Sequence, residues 1–328
     1  DIQAERTLTQ RHTERFAFDE ETNDYLHAIN NDFGSYEISY FAAQTLFRDS
    51  DEELQALYEE FKDNQVIISQ RLAPADDNRL HQKEEQADLG FRYGYGWKHP
   101  SVSTFAFLAA YTGQNAQTIE ISEDYTETLF DQLPKLNWRL NYTGLSKLAI
   151  FRDVFQSVRL THGYQSRMRI SNFQTNLEFD PLEPVYQEGS QSNNYVSRFN
   201  IPTLAIDESF SPLIGIDMRL KNTMSIRFEI KKARQLALNV ENESFTENKT
   251  EDWTFGFGYT LKNVKFDFLS KKKKKPAGDN ENNGIFGLSN NNNNRRGQGE
   301  PGDLTLSCDF SLRDDIEQFY EYVNDFNV

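Results

Sequence analysis

Apolar side chains recur at every second position over unusually long stretches of this chain, a period that selects extended strands over helices. From Ile214, the positions Ile216, Met218 and Leu220 continue the apolar set. The polar Lys221-Asn222-Thr223 reads as a turn, and the same parity resumes at Met224, Ile226, Phe228 and Ile230. Lys232 and Arg234 interrupt it before Leu236, Leu238 and Val240 complete it. A strand from Met224 to Val240 reaches about 55 Å at about 3.3 Å per residue. Soluble strands commonly run to about 5–6 residues. This one is long.

The pattern repeats along the chain. Val158, Leu160, His162, Tyr164, Met168 and Ile170 share a parity, with Ser166 among them. Trp253, Phe255, Phe257, Tyr259 and Leu261 face away from Thr254, Gly256, Gly258 and Thr260. Leu304, Leu306, Cys308, Phe310 and Leu312 form another set. Leu136, Trp138, Leu140 and Tyr142 do the same, and so do Phe91, Tyr93, Tyr95 and Trp97. Two architectures give this alternation: a transmembrane barrel with lipid outside and a wet lumen, and a soluble antiparallel sheet with one solvated face. The period alone divides evenly between them; strand length and aromatic weight favour the membrane.

Two stretches carry a helical period. Ser50 and Glu53 fit a capping box, and Leu54, Leu57, Tyr58 and Phe61 follow at helical spacing. An amphipathic helix over 51–62 is expected. Leu145, Leu148, Phe151 and Phe155 suggest a second, short element over 144–155. Val102 to Tyr111 suits either a strand or a buried helix, because short apolar runs have no decisive period. Residues 74–88 read as a charged loop. Residues 270–302, with Lys271–Lys275 and Asn290–Asn294, read as a low-complexity loop. A lysine run of this kind is more often solvated than a headgroup site.

Composition narrows the function. Aromatics make up 13% of the 328 residues against 37% hydrophobic in total, too aromatic for a disordered chain. No run of about 18 apolar residues occurs, so spanning helices are not expected. A formal charge of -16 argues against nucleic acid as a partner. The one cysteine, Cys308, leaves no intramolecular disulfide. His12, His27, His81, His99 and His162 are scattered without ligand spacing, and no HExxH, GxSxG or phosphate-loop motif is present. His162 lies on an apolar parity and is expected to pack like an aromatic. Asp76-Asp77-Asn78 lacks the spacing of calcium-loop ligands. No catalytic residue, metal ligand or cofactor is expected, and the chain is not read as an enzyme. It opens at Asp1 with no Met, basic n-region or apolar h-region, and is read as a segment of something longer.

Several strings in order resemble one family. Asn137-Trp138-Arg139-Leu140-Asn141-Tyr142-Thr143-Gly144-Leu145-Ser146-Lys147-Leu148 is similar to its "NWR-tyrosine-x-GL-x-KL" signature, and Thr161-His162-Gly163-Tyr164 follows at the family's distance. Ser209–Asp217, Glu229–Arg234 and Tyr259–Val264 match further on, and Ile67–Leu72 and Phe107–Gly113 match upstream. The chain resembles, from about Gly34 to Leu312, the C-terminal part of the SprA/Sov family. That family is the giant outer-membrane translocon of the type IX secretion system of Bacteroidota. Pro134-Lys135-Leu136-Asn137 departs from it, since the family places a proline directly before the Asn-Trp.

The resemblance implies an all-β fold of long antiparallel strands forming part of a large transmembrane β-barrel with short helical insertions. Residues 1–328 would be a segment of that one barrel domain; the alternation itself suggests roughly ten strands, which alone give too narrow a barrel or an open sheet. The resemblance also implies a location in the cell outer membrane and export of folded cargo proteins with C-terminal signals to the cell surface. Gliding motility depends on that export in motile species. Implied partners are the cargo, a PorV-type shuttle barrel, a plug protein, periplasmic components of the secretion system and outer-membrane lipid. The alternatives are another outer-membrane β-barrel transporter and a soluble β-rich surface binding module.

Overall fold

A computed structural model describes residues 1–180, 185–187, 193–240, 242, 244–264 and 302–321. It is mostly antiparallel sheet, 51% strand and 18% helix, and the sheet is not closed. The strands are β1 (Ile2–Gln3), β2 (Arg6–Asp19), β3 (Asp24–Ser39), β4 (Asn137–Tyr142), β5 (Phe155–Thr175), β6 (Phe199–Asn200), β7 (Thr203–Leu220), β8 (Met224–Asn239), β9 (Ser244–Val264) and β10 (Gly302–Glu321). The long alternating sets of the sequence become β5, β7, β8, β9 and β10, of 16 to 21 residues each. The turn between Leu220 and Met224 sits where Lys221-Asn222-Thr223 predicts it, with Thr223 at φ 71°.

Two strands share one track along β5. Ser39, the last residue of β3, pairs with Arg167 of β5, and Trp138 of β4 pairs with Tyr164. β3 and β4 therefore lie end to end, and the Lys135 N–H donates to the Ser39 carbonyl at 2.8 Å. Between those two points the chain leaves the sheet for residues 40–136. β1 and β2 lie end to end in the same way against β4 and β3. The order across the sheet is β1/β2, β3/β4, β5, β7, β8, β9, β10, and each of these six steps is antiparallel. After an even number of reversals the two free edges, β1/β2 and β10, run in the same direction.

The excursion 40–136 is helical and larger than the expected insertion. Helix α1 spans Asp51–Leu72, ten residues past the predicted Lys62, and the Ser50/Glu53 capping box is formed. Helix α2 spans Glu84–Leu89 inside the expected charged loop. Helix α3 spans Pro100–Thr112, which settles the ambiguous Val102–Tyr111 stretch. Every residue of α3 from Ser101 to Thr112 is buried, so it has no wet face to leave a period in the sequence. α3 lies against the sheet through Phe107 and Tyr111, whose rings meet Phe245 at 5.5 and 4.5 Å. α1 rests on α3 and reaches β10 where Tyr58 stacks on Tyr320 at 4.5 Å. The core between helices and sheet holds Tyr36, Ile38, Met168, Ile170, Leu204, Ile206, Leu236 and Leu238.

One expectation needs correction. Phe91–Trp97 is not a strand: Gly94 has φ 78°, and the segment folds back so that Arg92 bridges Tyr95. A backbone in the left-handed region cannot continue an extended run. The short helical element expected over 144–155 is present between β4 and β5, as a 3-10 turn (Gly144–Lys147) followed by the single-turn helix α4 (Ala149–Arg152). The low-complexity loop lies outside the described residues up to Gly302, as do both of its homopolymer runs.

Candidate functional site

One face of the sheet divides into two zones. Register places Ile216, Phe228, Phe255 and Phe310 side by side on β7, β8, β9 and β10. The neighbouring rows are Met218, Ile226, Phe257 and Cys308, then Ile214, Ile230, Trp253 and Leu312. Leu140 and Tyr142 of β4 extend this surface past β5. Nothing in the described residues covers it: Phe255 is 49% exposed, Leu312 59% and Phe310 65%. Further along the same face the rows Leu204–Leu238–Phe245 and Ile206–Leu236 are buried beneath the helices. One parity thus serves two environments.

A belt of charge separates the zones. Glu208, Arg234 and Lys249 form one row, and Lys232 and Glu251 lie in the next, on the apolar parity. Glu208 and Arg234 are fully buried as an ion pair. The Tyr164 hydroxyl also donates to Glu208, at 3.2 Å. The cations grip the helical excursion at its root. Arg234 donates to the carbonyls of Ala42 (3.0 Å) and Tyr111 (3.4 Å). Lys249 donates to the Arg48 carbonyl, and Lys232 pairs with Asp49 and Glu251. Buried charges are tolerated only when paired and hydrogen-bonded, and here each has a partner from another element.

Aromatics line the exposed side of the belt. The Trp253 ring N–H donates to Glu251 at 2.6 Å while the indole remains 42% exposed on the apolar zone. Phe47 and Phe41 are exposed at the same level, packed on Phe210 and Trp138. His162 packs between Trp138 (6.3 Å) and Phe210 (5.6 Å), and its Nδ1 lies 2.7 Å from the Leu213 carbonyl. From Trp253 to Leu261 the apolar zone rises about 27 Å along β9 at about 3.4 Å per residue.

The opposite face is polar over the same height. Arg159, Asp217, Arg227, Gly256 and Asp309 stand in one row across five strands. Arg227 Nε donates to Asp217 at 2.9 Å. A Cβ on Gly256 would lie 2.5 Å from Asp309 Oδ1, so the glycine leaves the space that the Asp309 carboxylate occupies between β10 and Arg227. A shallow depression of about 430 Å³ lies over this row, with Arg219 also at its margin.

The remaining chemistry-bearing residues do not converge. His12 lies between Glu14 and Asp32, whose hydrogen bonds raise its pKa. His81 and His99 are buried in the helical excursion, His81 beside Asn194 and His99 beside Ser197. Asp77 is engaged by Arg79, whose guanidinium holds its carboxyl down at about 2. Among the described residues no group of three His, Cys, Asp or Glu could hold a metal ion, and no helix is long and apolar enough to cross a membrane. The side chain of His27 lies outside the described residues. The charged belt is the feature that sequence reasoning treated only as an interruption. Its signal was present: Lys232/Arg234 and Lys249/Glu251 sit at matching distances from the ends of their strands. No protein-family model and no curated protein matches the chain.

Proposed function

We propose that this chain is part of the wall of an outer-membrane protein-conducting barrel of the type IX secretion kind, exporting folded cargo that carries C-terminal signals. The observation that carries the membrane part is the two-sided zone. One face exposes rows of Phe, Leu, Ile and Trp, and the other carries Gly, Thr, Arg and Asp at the same height. At a strand tilt of about 40° the zone's length along β9 of about 27 Å covers about 20 Å of height, most of the apolar band of outer-membrane barrels, about 25 Å tall. A soluble sheet would bury such a surface.

The edges support a wider barrel. In lipid an unpaired strand edge is costly, so the sheet must close. The edges β1/β2 and β10 run parallel, so an all-antiparallel barrel needs an odd number of further strands between them. Bacterial single-chain barrels have even strand counts, which agrees with completion of this odd set by other strands. The type IX assignment itself rests on the ordered string resemblance from Asn137 to Val264 and upstream. In this reading the work is conduction, not bond chemistry. Cargo, a PorV-type shuttle barrel, a plug protein, periplasmic components and outer-membrane lipid are the partners, and surface export would support gliding.

The test is an antibody raised to this segment and used on fractionated envelopes. A detergent-dependent band several-fold larger than 38.2 kDa in the outer membrane is the expected result. A heat-shifting band near that mass would leave a small barrel and remove the secretion role. Release without detergent would remove the membrane reading in favour of a surface binding module.

A further inference from the structure

The end of the sheet farthest from the helices differs chemically from the rest of this acidic chain. Residues 40–136 hold 17 Asp and Glu against 8 Lys and Arg. The far end is formed by the connection from Thr143 to Val154, the turn 221–223 and the last residues of β9. These come together there: the Lys221 N–H donates to the Val154 carbonyl at 3.1 Å, and the Thr260 N–H donates to the Thr223 carbonyl at 3.3 Å. Lys147, Arg152, Lys221 and Lys262 are all exposed on this rim. The described acids beside them are Asp153, which pairs with Arg152 at 3.8 Å, and Asp303, which accepts from the Asn263 N–H. Among the described residues Lys147, Lys221 and Lys262 have no ion-pair partner.

The same connection presents apolar side chains to solvent. Leu148 is 49% exposed, Val154 51% and Ile150 78%. They lie in the connection between the ends of β4 and β5. Apolar and basic side chains on one short turn are the combination that seats in the boundary between headgroups and acyl chains. The helical excursion, with its excess of carboxylates, offers an anionic surface no such seat.

We infer that this basic rim is a docking surface for anionic phospholipid headgroups, with Leu148 and Ile150 dipping below the phosphates and the four cations at their level. The inference rests on the membrane reading above.

The test reconstitutes the full-length protein from detergent into vesicles of phosphatidylcholine or of phosphatidylglycerol, followed by flotation. One cation near an anionic surface is worth roughly fivefold in partition, so the wild type is expected to favour phosphatidylglycerol by about tenfold or more at low salt. The combined variant Lys147→Glu, Arg152→Glu, Lys221→Glu, Lys262→Glu should lose that preference while still inserting into phosphatidylcholine. Leu148→Ser with Ile150→Ser should weaken both vesicles alike. Equal insertion of wild type and charge variant into both lipids would overturn the rim and leave the barrel standing. Failure to float with either vesicle would overturn the membrane reading and the rim with it.

Discussion

Arg234 of β8 lies directly opposite Glu208 of β7, both wholly out of solvent, and the same guanidinium holds the carbonyls of Ala42 and Tyr111. The pair thus ties two strands to the segment where the chain leaves the sheet and to the end of α3. Removing one partner of a buried ion pair strands the other charge, which costs about 3–5 kcal/mol, whereas replacing both by apolar groups is often near neutral. Arg234→Ala should therefore lower stability by about that amount. Arg234→Met combined with Glu208→Leu should recover most of it. Urea midpoints of the solubilised protein, read by tryptophan fluorescence, decide the matter: a single variant costing under about 1 kcal/mol would show the pair to be ornamental.

The pH response of the helical excursion follows from His99. Its imidazole is fully buried beside Ser197, and burial alone pushes its pKa down from 6.5 to about 3. The unfolded chain takes up this proton near pH 6.5 and the folded chain does not. Stability is therefore complete above pH 6.5 and falls as pH drops toward 3. From pH 7 to pH 5 the loss is about 2 kcal/mol. Buried His81 acts in the same direction. Glu123, raised by burial, acts in the opposite direction, gaining stability as pH falls toward 4.5. Comparing wild type with His99→Asn isolates the one group: the variant's thermal midpoint should decline less over pH 7 to 5, and parallel declines would refute the assignment.

Two glycines should respond very differently to the same added methyl. At Gly34 of β3 a Cβ would lie 1.9 Å from the Thr9 carbonyl oxygen, a backbone atom of the paired strand β2. The backbones would have to part, and overpacking of this kind costs about 1–3 kcal/mol or more. At Gly256 the nearest atom is the tip of the Asp309 side chain, which can swing away. Gly34→Ala should thus open the β2–β3 hairpin to limited proteolysis, while Gly256→Ala should leave the digestion pattern unchanged. Similar patterns for the two variants would mean that β2 does not pair as described.

Much of the sheet could be read from the sequence because its signal is local: β7, β8 and β9 alternate residue by residue, and Leu220–Met224 carries its own turn. The capping box at Ser50 was likewise a four-residue signal. What escaped was set by distant partners. Lys232 and Arg234 looked like breaks because their counterparts, Asp49 and Glu208, lie on other elements. α3 was ambiguous since sheet and α1 bury it all round. Phe91–Trp97 alternates as a strand would, yet Gly94 reverses the chain so that Phe91 and Trp97 meet edge to face at 6.0 Å. An open sheet is one of the two outcomes expected of roughly ten strands, and the sheet is open; which strands stand at its edges is not written in the alternation.

The division of the sheet into faces gives the most direct test of the membrane reading. Phe228 and Phe257 belong to the exposed apolar rows, and Thr254 points to the polar side of the same strand as Phe257. A guanidinium placed on a lipid-facing position costs about 2–4 kcal/mol near the bilayer midplane, and little on the lumen side. Phe228→Arg and Phe257→Arg should therefore reduce the amount of folded, heat-modifiable protein recovered in outer membranes. Thr254→Arg should be recovered at the wild-type level, even though it adds the same charge one residue from Phe255. Propensity cannot account for such a difference, because the same arginine is tested on both sides of one strand. Equal recovery of all three variants would mean that water bathes both faces, and the sheet would then belong to a soluble fold.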